Sequence, residues 1–563
     1  MASPRSRLAL VLAALIAALI AVTACGKETP GAAAPSPSTT ATARVENTGD
    51  PASRAAAVVA SLSDEELAGQ VLMPYAYGSS AADVSAASKA GNQRLGKVDT
   101  PAQMVERYHL GGLILIGFSA DDPTGTNQVT TNVDNPEQIK ALTAGLQQAA
   151  GDPVPMLIGT DQEYGVVTRI KNGVTQLPSA MALGAAGDTA KTRQGWAVAG
   201  DELAALGLNV DFAPDADVLT TADGGVIGSR SFGSDPKAVG AQVAAAVEGL
   251  QSAGVAATIK HFPGHGSTPS DSHTDLPAIA KSRADLDKVD LAPFRAGIDA
   301  GALLVMSGHL DVASIEPGVP ASFSRKALVD VLRGELGFEG VVVSDALNMA
   351  PAEKWPAGEA AVRALNAGND LLLMPPDVAA AHQGLLDGLR DGSLTRDRLV
   401  EAATRVLTLR FTLAAGKGTG TAAAEHAGVA RDLAAAAITQ FRGTCGAPLT
   451  GPVSVTAAGG RDASKARLEK ALRAEGVTVV PSGGTVVHLV GYGDGPADLN
   501  KTAAVTVAMD TPYVLAGAPS PTLLATYSST GTSLDALAAV LAGKQKPTGK
   551  SPVPVSGLPR TVC

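Results

Sequence analysis

The chain has 563 residues, 45% hydrophobic and 17% charged, enough to bury a large core and too apolar for a disordered polyelectrolyte. Acidic residues outnumber basic ones by 54 to 44, so the formal net charge is -10 and no basic surface for a nucleic-acid backbone is expected. Aromatic residues are only 3%, which argues against ring platforms for stacking on polymers, and three cysteines are too few for a disulfide scaffold. A nucleic-acid factor is thereby disfavoured; an enzyme without a cofactor, or a small-molecule binding protein, is left.

Arg5 and Arg7 precede an apolar run from Leu8 to Val22 that closes on Thr23-Ala24-Cys25-Gly26. A positive, then an apolar, then a small-residue region predicts an export signal, and the run is shorter than the ~20 residues a membrane-spanning helix needs. Val22–Cys25 resembles the lipobox of bacterial lipoproteins. The resemblance implies a signal peptide over residues 1–25, lipidation of Cys25, and anchorage at the outer face of the cytoplasmic membrane. Several acyl chains, each buried CH₂ contributing ~0.8 kcal/mol, would hold the protein there. An ordinary cleaved signal with an incidental cysteine is the alternative. Residues 26–54, small, Pro/Ser/Thr-rich and without apolar periodicity, read as a tether.

From 55 to 415, short apolar runs alternate with helical patterns. The runs are Gln70–Pro74, Gly112–Phe118, Met156–Asp161, Asn209–Asp215, Ala256–Phe262, Ala302–His309, Gly340–Asp345 and Asp370–Met374. Unbroken hydrophobicity, as in Leu113-Ile114-Leu115-Ile116, predicts strands buried on both faces. Helices are predicted between them at Pro136–Ala149, Lys191–Leu206, Pro236–Ala253, Ser324–Leu336 and Glu359–Ala367. Eight β-then-α units predict a (β/α)₈ barrel of the TIM type, with an open doubly wound sheet as the alternative. Run after run ends in a polar group: Asp161, Asp215 and Asp217, Lys260-His261, His309, Asp345. In a barrel those ends converge on one face, where its active sites lie.

The densest stretch runs from Lys260-His261-Phe262-Pro263-Gly264-His265-Gly266 to Asp271-Ser272-His273. Three histidines and an aspartate allow a zinc site, but Pro263-Gly264 would break the helix that sets His261 and His265 on one face. The preferred reading is a mobile loop carrying an Asp-x-His pair, in which Asp271 fixes the tautomer of His273 and lets it shuttle a proton. Asp345, ending the run Val341–Ser344, reads either as a helix cap or as a nucleophile facing that acid.

Together, Asp161-Gln162-Glu163, Val226–Phe232, Lys260–His273 and Ser344–Met349 resemble glycoside hydrolase family 3, and most of all its bacterial β-N-acetylglucosaminidase branch. The resemblance implies an exo-acting, retaining hydrolase of terminal β-linked N-acetylglucosamine on oligosaccharides or cell-wall fragments. It makes Asp345 the nucleophile, His273 the acid/base and Asp271 its orienting partner. Sugar contacts fall to Asp161, Arg169, Arg230, Lys260 and His261; no metal, no cofactor and no obligate protein partner is implied. His309 matches a strand-end histidine taken as pocket wall. Tyr164-Gly165 stands where the family usually has Gly-Gly, and Tyr164 is expected to narrow the pocket or stack beyond the scissile bond. A histidine acid would not repel phosphate as a glutamate would, so a phosphorylase is an alternative, as is a β-glycosidase of broader specificity. A non-catalytic sugar-binding lipoprotein and a zinc hydrolase are alternatives from other classes.

Residues 416–428, with a glycine-rich start, read as a linker, and 429–563 as a smaller α/β sandwich that supports the barrel or walls its cleft. Helices are predicted at Val429–Phe441, Ser464–Glu475 and Leu534–Leu541. Strands are predicted at Val453–Ala457, Val477–Val480, Val486–Val490, Ala504–Ala508 and Tyr513–Ala516. With Cys25 assigned to lipidation, Cys445 and Cys563 are left, and export permits a disulfide between them.

Overall fold

A computed structural model describes residues 49–116, 132–151, 154–416 and 423–563. Cys25 and most of the expected tether lie outside the described residues.

Eight parallel strands close a ring: β1 (Leu72–Met73), β2 (Gly112–Ile114), β3 (Leu157–Thr160), β4 (Val210–Asp211), β5 (Ala256–Phe262), β6 (Leu304–Ser307), β7 (Val341–Ser344) and β8 (Leu372–Leu373). Ladders join β2 through β7 in chain order. A bridge from Val343 to Leu371 adds β8, Leu72 pairs with Leu372 to bring in β1, and the Ile114 amide donates to the Pro74 carbonyl at 3.0 Å. This is the (β/α)₈ barrel expected from the sequence.

The unbroken apolar runs follow from burial on both faces. Met73, Ile114, Leu157, Val210, Ala256, Leu304, Val341 and Leu373 fill the barrel interior, and Val406 and Leu409 of the helix Arg396–Ala415 join that cluster. Their neighbours Leu72, Leu113, Ile158, Ala257, Val305, Val342 and Leu372 point outward into the helix layer. Gly159 is small because a Cβ there would meet Met73 Cε at 2.9 Å and Phe212 Cε2 at 3.0 Å.

Two expected boundaries shift. A helix over Pro51–Val59 begins inside the stretch 26–54 read as tether, started by Asp50, whose carboxylate accepts from the amides of Ala52 and Ser53 at 3.0 Å each. Another runs over Ala423–Ala437 and so begins inside the expected linker 416–428, in an alanine-rich segment of high helix propensity.

The C-terminal sheet has five strands: β9 (Thr439–Arg442), β10 (Val453–Ala457), β11 (Thr485–Val490), β12 (Val505–Ala508) and β13 (Thr522–Ala525). Their order is β9-β13-β12-β11-β10, with β9 antiparallel to β13 and the rest parallel. Three expectations fail here. The helix read to Phe441 stops at Ala437, because the β-formers Ile438, Thr439 and Phe441 turn the chain into β9, where Thr439 and Gln440 pair with Ala525 and Leu524. Val477–Val480 is reduced to a bridge between Val479 and Val453. Tyr513–Gly517 is a 3₁₀ turn behind Pro512, while Thr522–Ala525 forms the inner strand that the sequence reading passed over. Cys445 and Cys563 are joined by a disulfide.

The two domains share a core. Met181 and Ala182 of the helix Ala180–Ala186, with Leu219 and Ile227 of barrel loops, pack with Phe441, Leu515, Tyr527 and Val553. Ser179 Oγ donates to the Tyr527 carbonyl at 2.6 Å across the same seam. The C-terminal sheet is thereby held over the carboxyl ends of the barrel strands.

Candidate active site

The carboxyl ends of the strands surround a cavity of about 560 Å³. Asp161, Arg169, Arg230, Lys260, His261, Asp271, His273 and Asp345 all line it. Asp161 follows β3, Lys260 and His261 belong to β5, and Asp345 follows β7. Arg169 follows the short hairpin Gln162–Tyr164 and Val167–Thr168, and Arg230 ends a 3₁₀ turn over Gly228–Arg230.

Buried ion pairs form the floor. Lys260 Nζ lies 2.5 Å from Glu163 Oε1 and 3.1 Å from Asp161 Oδ1. Arg230 donates to both oxygens of Glu163, at 2.7 and 2.9 Å, and its Nε is 3.3 Å from Asp215. Arg169 lies 3.6 Å from Asp161. Burial pushes the Glu163 carboxyl up, but Arg230 and Lys260 outweigh it and hold the carboxyl down at about 2. Asp161 shifts the other way: burial outweighs its share of Lys260, whose nearer partner is Glu163.

His261 sits between two charges. Its Nδ1 lies 2.8 Å from Asp217 Oδ2, and its Nε2 is 3.4 Å from an Arg230 nitrogen. Burial, aided by Arg230, pushes the ring well below the ordinary histidine range. Asp217 also accepts from the amides of His261 and His265, and burial lifts its carboxyl to about 6. Asp215, Asp217 and His261 bring possible ligand atoms within 4.8 Å of one another. Arg230 lies against Asp215, and His261 is engaged by Asp217 in a hydrogen bond, so this group's charges are met within the protein.

The two reacting candidates differ in setting. Asp345 is 8% exposed, and one of its oxygens accepts from the Ala346 amide at 2.8 Å. Burial pushes its carboxyl up, but His309, His261 and His273 outweigh that, and it is held below the ordinary value as an anion. Asp271 and His273 sit on the loop after β5. Asp271 Oδ1 accepts from the His273 amide at 2.9 Å and meets His273 Nδ1 at 2.8 Å, and this ring contact holds Asp271 down at about 2. Nδ1 being engaged by Asp271, His273 lines the cavity.

Two expectations are corrected here. Tyr164 is 2% exposed and does not line the cavity; its ring packs edge-on against Trp196 at 5.9 Å, because the hairpin turns it into the core while Glu163 faces the site. His309 is fully buried behind the wall, with Nδ1 2.6 Å from Ser322 Oγ and Nε2 3.0 Å from the Ala346 carbonyl. It supports the Asp345–Ala346 turn and is no part of the cavity surface.

The sequence reading singled out neither Glu163 as the hub of the cations nor any cavity residue of the second domain. Tyr492, Asp494, Asp510 and Thr511 complete the wall, and the Ser229 hydroxyl beside Arg230 donates to Asp510. The signal for them was the one used in the barrel: polar groups directly after buried strands, here β11 and β12.

A barrel face that gathers a strand-end carboxylate, an imidazole–carboxylate pair and buried ion pairs has the groups that glycosidic-bond cleavage uses. Residues 69–409 match the glycosyl hydrolase family 3 N-terminal domain, more than half of the chain, and the chain belongs to that family. It is 31% identical over 517 residues to a β-N-acetylglucosaminidase/β-glucosidase from Cellulomonas fimi, covering 79% of this chain and 88% of that one. It is 34% identical over 342 residues to a β-hexosaminidase A from Pseudoalteromonas piscicida, and spans only 55% of that relative's length and 55% of its own. The solved structure of a glycoside hydrolase family 3 β-N-acetylglucosaminidase from Paenibacillus sp. str. FPU-7 matches with a TM-score of 0.75 at 31% identity, over 89% of this chain and 100% of that one.

Proposed function

We propose that this family 3 protein is an exo-acting, retaining β-N-acetylglucosaminidase that removes terminal β-linked N-acetylglucosamine from oligosaccharides or cell-wall fragments. The observation that carries the reading is that Asp345 and the Asp271–His273 pair line one cavity, of a size suited to a sugar and part of its neighbour. The acetamido preference rests on the names of the relatives.

In this mechanism the sugar is held by Asp161, Arg169, Lys260, Arg230 and His261. Asp345 attacks the anomeric carbon as the bond to the leaving oxygen breaks, and His273, protonated at Nε2, gives that oxygen its proton. The glycosyl–Asp345 ester then yields to water, whose proton returns to His273 as the new C–O bond replaces the ester bond. Asp271 keeps the imidazole in the needed tautomer and stabilises its cation.

Hydrolysis of an aryl β-N-acetylglucosaminide tests the reading. Asp345→Ala should abolish turnover, and His273→Ala should lower kcat/KM for a poorly activated leaving group by about 10²–10⁴-fold. Activity that survives Asp345→Ala would sink the covalent route, and loss of activity with a chelator would point to a metal. Sugar phosphate formed on adding inorganic phosphate would assign a phosphorylase instead. The same proposal places the enzyme outside the cell, held by lipid on Cys25, and Cys25→Ala should move it from the membrane fraction to the soluble one.

A further inference from the structure

The loop that carries His273 is fastened to the barrel at its middle residue. Asp271 and His273 have side chains 37% and 31% exposed, yet Ser272 between them is 4% exposed. Ser272 turns inward, and its Oγ lies 3.2 Å from Nε2 of His265. His265 is itself 3% exposed, and its amide donates to Asp217 Oδ1 at 2.6 Å. Its ring stands edge-on to His261 with centroids 5.8 Å apart, and its buried Nδ1 has no hydrogen-bond partner among the described residues. The contact with Ser272 is thus the polar satisfaction its ring obtains. Gly266 permits this approach, because a Cβ there would lie 2.2 Å from the Val218 carbonyl oxygen, and Thr220 donates to the Gly266 carbonyl at 3.0 Å.

From this geometry we infer that His265 is a positioning residue for the acid/base: through Ser272 it holds the Asp271–His273 segment at the distance from Asp217 and His261 at which protonation of the leaving oxygen takes place. The inference rests on the mechanism proposed above. A hydrogen bond between two buried neutral groups contributes only about 1 kcal/mol to stability. Its effect on catalysis is larger, because proton transfer requires His273 to stay within hydrogen-bond reach of an oxygen fixed by the sugar. Asp345 follows another strand, and Lys260, although on β5, is held by Glu163 and Asp161 and not by the link.

The test compares kcat/KM for two β-N-acetylglucosaminides in the full chain. One carries a dinitrophenyl leaving group, which departs without a proton; the other carries an alkyl leaving group, which requires one. His265→Phe and Ser272→Ala should each cost at most about threefold with the first and about 10–100-fold with the second, a fraction of the general-acid contribution. His265→Gln, which keeps a polar nitrogen near the Nε2 position, should recover most of the loss. The double variant should be no worse than the worse single one. Equal losses with both substrates, or no loss with the alkyl one, would overturn the inference. The dinitrophenyl substrate also reports folding, since a misfolded variant would fail on both. His273→Ala measured beside them separates the two ideas. If it spares the alkyl substrate, the proposed mechanism and this inference fall together; if it does not while His265→Phe does, this inference alone falls.

Discussion

Tyr164 holds a left-handed backbone at φ +65°, followed by Gly165 at φ +72°, a conformation that costs a non-glycine residue about 1–2 kcal/mol. The ring compensates by packing against Trp196 in the core. Tyr164→Gly should relieve the backbone and empty the ring's site, for which aromatic truncations cost about 3–5 kcal/mol. The expected net is a loss of about 2 kcal/mol in chemical denaturation, with kcat/KM within about threefold of wild type across leaving groups. A leaving-group-dependent change would restore the pocket role that the sequence suggested. Which way a hairpin side chain faces depends on the turn, and a dipeptide in a motif does not disclose it. Asp345 and the Asp271–His273 pair were legible because each lies in a short local pattern. Glu163 was not, because its partners Lys260 and Arg230 arrive from other parts of the barrel.

The segment after β5 shows what an element adds to its residues. Below its Pro-Gly turn lies Asp290, fully buried, both oxygens accepting from Lys281 Nζ at 2.9 and 2.7 Å. A Cβ on Gly264 would stand 2.7 Å from the Asp290 Cβ, so the turn rests directly on this aspartate. Burial lifts the Asp290 carboxyl to about 6, against Lys281, which lowers it. A carboxyl raised in the folded state stabilises the fold below its ordinary value near 4, and that contribution is lost as pH rises through about 6. Asp290→Asn should therefore gain on wild type by about 3 kcal/mol between pH 4 and pH 7, at 1.36 kcal/mol per pH unit. Denaturant unfolding across that range checks it, and a difference independent of pH would show that Asp290 does not titrate there. Elements marked by an unbroken apolar run between helical patterns were legible in the sequence, as the eight barrel strands were. The C-terminal sheet was less so: Tyr513–Ala516 and Thr522–Ala525 are equally apolar, and only pairing with β9 and β12 selects the second as a strand.

At the scale of the whole molecule, the second domain closes the cavity, and the chain's last residues help fix that domain. The Lys550 amide donates to the Ala185 carbonyl at 2.9 Å and the Ser234 amide to the Pro552 carbonyl at 3.2 Å, so the tail crosses from sheet to barrel. Beyond it the Val562 amide donates to the Gln440 carbonyl at 2.9 Å, and Cys563 is bonded to Cys445, 118 residues earlier. A covalent loop of that size removes about 4–5 kcal/mol worth of freedom from the unfolded chain in the chain-entropy model. Cys445→Ser should lower stability by up to that amount, and reduction of the wild type should lower its unfolding temperature by a similar margin while leaving the variant's unchanged. Neither cysteine lines the cavity, so kcat/KM should hold at temperatures where the fold is intact. Variant and wild type that unfold alike under oxidising conditions would mean that the shared core and the tail's hydrogen bonds hold the second domain over the site without the disulfide.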